Sequence, residues 1–95
     1  MAIMMIMKWP GVSLEQYDQA KSKVNWEKDP AAGGRMHATA HDGNGLRITD
    51  VWDSAEAFQA FVDDRLMPGV AELNLPGPPE VEVYPLHDLW IPRGA

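Results

Sequence analysis

The sequence predicts a single α+β domain over residues 1–95: an antiparallel four-stranded sheet with two helices on one face. Three observations carry this reading. Hydrophobic periodicity switches along the chain in the order β-α-β-β-α-β. Asp42-Gly43-Asn44-Gly45 joins two strand-like segments and accepts the positive φ of a tight hairpin. Both helical segments open on a side-chain cap followed by an apolar stripe.

The first strand spans Ala2 to Trp9 and is closed by Pro10-Gly11. Its almost continuous apolar run predicts burial on both faces. Ser13 and Gln16 make a capping box, and Leu14, Tyr17, Ala20 and Val24 follow at helical spacing, so helix 1 runs to about Val24. Residues 25–34 hold Asp29-Pro30 and Gly33-Gly34 and read as a loop whose Trp26 packs inward. Arg35–His41 and Leu46–Trp52 are the hairpin strands, with 41 opposite 46, 39 opposite 48 and 37 opposite 50. Asp53 or Ser54 caps helix 2, Asp53 pairing box-like with Glu56. Its stripe is Phe58, Phe61, Val62 and Leu66, and Pro68 ends or kinks it near Met67. A further turn follows over residues 69–74, then a stiff loop over 75–79. Glu80–His87 is the last strand, and Pro85 places it at a sheet edge or a bulge. The apolar tail Leu89-Trp90-Ile91-Pro92-Arg93 is expected to cross onto a second protomer.

This element order is the ferredoxin-like pattern. Both faces of the hairpin are apolar: Leu46, Ile48 and Trp52 on one, Met36, Ala38, Ala40 and Val51 on the other. A two-sided apolar sheet with helices on one side predicts a partner over its open face, and a short chain with a thin core gains most from a homodimer.

Composition narrows the function. The net charge is −6 with eight Lys and Arg, which argues against nucleic acid and against an anionic membrane as partners. Zero cysteines remove thiolate metal sites and Cys nucleophiles. The apolar start precedes Lys8 rather than following a basic segment, unlike a secretory signal, and no run approaches a membrane span. The expectation is a soluble cytoplasmic protein. No GxGxxG, P-loop or GxSxG pattern occurs, so no cofactor is expected.

Several stretches resemble a known group. Lys8-Trp9-Pro10-Gly11 ends the first strand, and Asp50-Val51-Trp52-Asp53-Ser54-Ala55-Glu56-Ala57-Phe58 is similar to the "strand, Trp, acidic, Ser, Phe" opening of helix 2 in antibiotic-biosynthesis-monooxygenase-like proteins. Arg65-Leu66-Met67-Pro68 and Pro78 to Val83 resemble uncharacterised bacterial members over nearly the full length. The resemblance implies a dimeric α+β barrel with a pocket between sheet and helices. Functions in that superfamily diverge: cofactor-free oxygenation, haem degradation, isomerisation. No residue set here matches a specific haem-degrading or quinone-oxygenating arrangement.

The candidate site is His37 facing Asp50. A carboxylate beside an imidazole fixes its tautomer and raises its basicity, so His37 is the candidate acid/base and Asp50 its orienting partner. The alternative is a cross-strand ion pair that only satisfies two half-buried groups. Trp52, Trp9, Tyr84, Ile48 and His87 are the candidate walls for a compact apolar or aromatic molecule; core packing is the other reading of the aromatics. A metal site is not expected. His37 and His41 stand about 13 Å apart along one strand, so a metal would need His87 beside His37. The expected function is a small cofactor-independent enzyme, an isomerase, cyclase or monooxygenase-like protein; the alternative is a non-catalytic ligand-binding or structural homodimer.

Overall fold

The computed structural model describes residues 1–92. Four strands form one antiparallel sheet in the order β2-β3-β1-β4: β1 (Ile3–Pro10), β2 (Gly34–His41), β3 (Gly45–Trp52) and β4 (Glu80–Pro85). Helix α1 (Leu14–Val24) follows β1, and α2 (Ala55–Phe61) follows β3. Ser13 caps α1 in a complete capping box with Gln16. Ser54, not Asp53, caps α2, accepting from the Ala57 amide at 3.1 Å, while Asp53 pairs with Arg35.

Pairing sorts every strand residue onto one face. Ile3, Met5, Met7 and Trp9 of β1 point with Leu46, Ile48, Asp50 and Trp52 of β3 toward the helices, and all eight are buried. Val12, Ala20, Val24, Phe58 and Val70 close this core from the helical side. The other face differs from the two-sided burial expected of β1: Met4 and Ile6 are half-buried and Lys8 is exposed. Across that face runs an apolar row, Met36–Val51–Met4–Tyr84; at its far end lies a charged row with Arg47, Lys8 and Glu80.

The hairpin register is the expected one as far as His37↔Asp50. Beyond it the pairing slips, because Gly34 and Met36 oppose the adjacent Trp52 and Val51, leaving Arg35 as a bulge. Gly45 permits the close approach of the strands at the other end, since a Cβ there would collide with the Trp9 carbonyl. In the turn, Asp42 accepts from Asn44 and Gly45 amides and from the Arg47 guanidinium (2.7 Å). The Arg47 hydrogen bond first, then the Asn44 amide, lower the Asp42 pKa from 3.8 to about 2. Folding favours the ionised form, so this stabilisation is complete above the ordinary carboxylate pKa and is lost as pH falls through about 2. A carboxyl NMR titration is expected to give that low midpoint and to move it upward in Arg47→Ala; an unmoved midpoint would refute the assignment.

Pro68 reshapes the segment after α2. The chain widens into a π turn (Val62–Leu66), in which Met67 N–H donates to the Val62 carbonyl, then resumes as α3 (Met67–Val70) and a 3-10 turn (Ala71–Leu73). Pro68 has no N–H to offer the preceding turn, and it sits in the first turn of α3, where none is needed. Strand β4 is an edge strand, as Pro85 predicts, but it stops at Pro85 instead of continuing to His87. The tail has no regular structure through Pro92, with Trp90 and Ile91 exposed; Arg93 lies outside the described residues.

Candidate functional site

A cavity of about 260 Å³ opens between the helix-facing side of the sheet and the helices. Its floor is Met5, Met7, Trp9, Ile48 and Trp52; its roof includes Tyr17, Trp26, Phe58 and Phe61. The lining is largely apolar with a few polar atoms at one end, as in small-molecule pockets, and its size lies just below the ~300–1,000 Å³ of typical ones.

The polar end is built on the hairpin. His37 Nδ1 lies 2.6 Å from Asp50 Oδ1, and Trp52 Nε1–H donates to Asp50 Oδ2 at 3.1 Å. Both carboxylate oxygens are thereby engaged, which is what the burial of Asp50 demands. Asp50 and Trp52 share a face because they are two residues apart on β3, so one strand supplies both the carboxylate and one of its donors. His37 Nε2 lies 2.9 Å from Tyr17 Oη and 2.9 Å from Thr39 Oγ1, and Thr39 Oγ1–H donates to Tyr17 Oη at 3.1 Å. The Trp26 ring meets His37 edge-on with centroids 5.4 Å apart. An unbroken hydrogen-bonded chain therefore runs Trp52–Asp50–His37–Tyr17/Thr39 along the polar end of the cavity.

Trp9 is tied down by its Nε1–H, which donates to the Pro76 carbonyl at 2.7 Å, so the Pro/Gly loop covers that end of the sheet. Arg65 donates to the Val24 and Asp29 carbonyls and anchors the loop that carries Trp26. The π turn places Arg65 for this contact and leaves Phe61 and Leu66 on the cavity.

The fold brings together His37, Asp50, Trp52, Trp9 and Ile48 around one cavity. It does not bring Tyr84 or His87 there. Tyr84 pairs with Met4 and so lies on the open face, whereas the cavity belongs to the Met5 face. His87 follows β4, and β3 and β1 separate β4 from the β2 strand that carries His37. Among the described residues no cluster of three metal-ligating side chains occurs. Tyr17 and Trp26 are wall residues that the sequence reading assigned only to packing. The available signal was a polar-tipped aromatic in the inward stripe of α1.

Fold and site together define a small ferredoxin-like α+β protein in which a buried carboxylate holds an exposed imidazole at the end of an apolar cavity. Its fold is shared by solved structures, some of them named as antibiotic biosynthesis monooxygenases. The chain is similar to a candidate antibiotic biosynthesis monooxygenase from Chloroflexus aurantiacus (20% identity, 97% of this chain and 100% of that one, TM-score 0.67). It is also similar to a variant of SnoaB, a cofactor-independent oxygenase from Streptomyces nogalater (12%, 93% and 95%, 0.67). A third likeness is to the ActVA-Orf6 monooxygenase of Streptomyces coelicolor, solved with nanaomycin D (17%, 96% and 91%, 0.57). No family model matches the chain, and no curated protein does. At these identities the likeness establishes the fold. Among the described residues no helix is long and apolar enough to cross a membrane.

Proposed function

We propose that the protein is a cytoplasmic, cofactor-independent enzyme that removes a proton from a compact apolar or aromatic molecule, with His37 as the base and Asp50 as its orienting partner. The observation that carries this reading is the 2.6 Å His37–Asp50 contact at the polar end of an otherwise apolar cavity. Asp50 holds the proton on Nδ1 and directs the basic Nε2 toward the hydroxyl groups at the cavity. The product of proton removal is an enolate or phenolate. Such an anion can rearrange, cyclise, or react with O₂ as oxidant, turning an activated CH₂ into C=O with release of water. The oxygenase branch is supported by the names of two neighbours, SnoaB and ActVA-Orf6. Turnover of a screened set of phenols and 1,3-diketones, with product mass and O₂ uptake recorded, tests the reading. Wild-type activity lost in His37→Ala is expected; activity unchanged in that variant would refute it.

A second reading, ligand binding without chemistry, is favoured by one observation: both ring nitrogens of His37 already have partners. It predicts stoichiometric retention of a compound that is recovered unaltered after long incubation.

The assembly we propose is a homodimer through the open sheet face. The row Met36–Val51–Met4–Tyr84 is apolar; Val51 is already buried in the single chain and Met36 and Met4 are half-buried, while Tyr84, Trp90 and Ile91 are exposed large apolar side chains. Native mass spectrometry is expected to show a dimer that Met4→Glu shifts to monomer. A wild-type monomer at micromolar concentration would refute the proposal.

A further inference from the structure

We infer that Tyr17, rather than His37, is the group that exchanges the proton with a bound molecule, and that the preferred occupants are compact phenols and enols. This rests on the acid/base reading above and assigns the contact within it. A base must lie within hydrogen-bond reach of the proton it takes. His37 borders the cavity, but both of its ring nitrogens already have partners. Nδ1 is held by Asp50, and Nε2 faces two hydroxyls at 2.9 Å each. Trp26 closes on the ring edge-on.

Hydrogen counting then selects the tyrosine. With the Nδ1 proton donated to an ionised Asp50, Nε2 can only accept. Tyr17 O–H donates to it, and Thr39 O–H donates to Tyr17 Oη. One acceptor position of Tyr17 is left for an O–H donor. Tyr17 lines the cavity and Thr39 does not. The other charged groups lining it are Asp50 and Arg35, the latter paired with Asp53.

The transfer is balanced without any redox partner. The ligand's O–H bond breaks and its proton forms a bond to Tyr17 Oη. The original Tyr17 O–H bond breaks, and that proton moves to His37 Nε2. The electron pair stays on the ligand oxygen, and the imidazolium formed faces Asp50. An alcohol is too weak an acid for this exchange. A phenol or enol is acidic enough, and the cavity volume of about 260 Å³ holds roughly one or two fused rings.

The test uses 4-nitrophenol, whose phenol and phenolate forms differ in visible absorption. Wild-type protein is expected to bind it and to lower its apparent pKa. Tyr17→Phe is expected to bind it while reducing the bound phenolate-to-phenol ratio at least about tenfold, one pKa unit. In the wild type, ¹⁵N NMR is expected to show His37 Nε2 unprotonated alone and protonated once nitrophenolate forms. This second measurement needs no variant to fold. If Tyr17→Phe ionises the probe as wild type does while His37→Ala does not, the relay is overturned and the acid/base reading stands. If His37→Ala also ionises it, or wild type leaves the probe neutral, both fall. Nitrophenolate formed with Nε2 still unprotonated overturns the relay as well.

Discussion

Replacing His37 by alanine is expected to lower kcat by about 10²- to 10⁴-fold on any substrate the protein turns over, the usual contribution of a positioned general acid or base. Asp50→Asn is expected to cost at least about 10- to 100-fold. The charge that favours the imidazolium is lost, about 1.5–3 kcal/mol for a hydrogen bond to an ionised group, at 1.36 kcal/mol per tenfold in rate. Asparagine also has one carbonyl oxygen where both carboxylate oxygens accept, so its NH₂ is turned against either the Trp52 indole N–H or the His37 Nδ1–H. The two effects should not add in the double variant, because the carboxylate acts through the imidazole. Steady-state kinetics of the three variants measures this. Equal losses in KM alone would show that the pair binds without participating in chemistry. No change would leave it a structural ion pair.

Trp52→Ala is expected to give the largest loss of stability, about 3–5 kcal/mol for a buried tryptophan. The ring is 4% exposed and packs against Phe58 and Phe61 with centroids 5.7 and 5.4 Å away. Its removal also takes the indole donor from Asp50, leaving a buried carboxylate oxygen without its partner. Small domains hold about 5–15 kcal/mol in total, so this variant is expected to be marginal. Trp52→Phe separates the two contributions: most of the packing stays and the hydrogen bond goes. Chemical denaturation of both variants measures the difference. A Trp52→Phe variant as unstable as Trp52→Ala would mean that the hydrogen bond, not the packing, dominates.

The hairpin pairing was legible because it is local. A glycine-rich turn sets the register, and side chains alternate with period two, so His37 had to meet Asp50. The bulge at Arg35 was not legible, although Gly33-Gly34 marked the spot, because a bulge depends on how the strand end is held in the folded sheet rather than on its own alternation. Tyr84 and His87 lie away from the cavity for two different reasons. Parity along a strand tells which residues share a face, but not which face meets the helices, and Tyr84 pairs with Met4 on the other one. Nor does parity tell which strand borders which: with β4 at the edge beside β1, two strands intervene between His87 and His37.

The sequence alone determined the element order, the Ser13 cap of α1 and the His37–Asp50 contact, all of which depend on neighbours within a few residues or across one short turn, whereas the choice of Ser54 over Asp53 as the cap of α2 waited on the structure. Only the tertiary structure decided that Tyr17 and Trp26, from α1 and the loop after it, close over the imidazole, and that the cavity lies on the Met5 face. Those contacts join a helix and a loop to a strand that is not their hairpin partner. They follow from how α1 docks on the sheet, which is set by the packing of the whole core rather than by any local pattern.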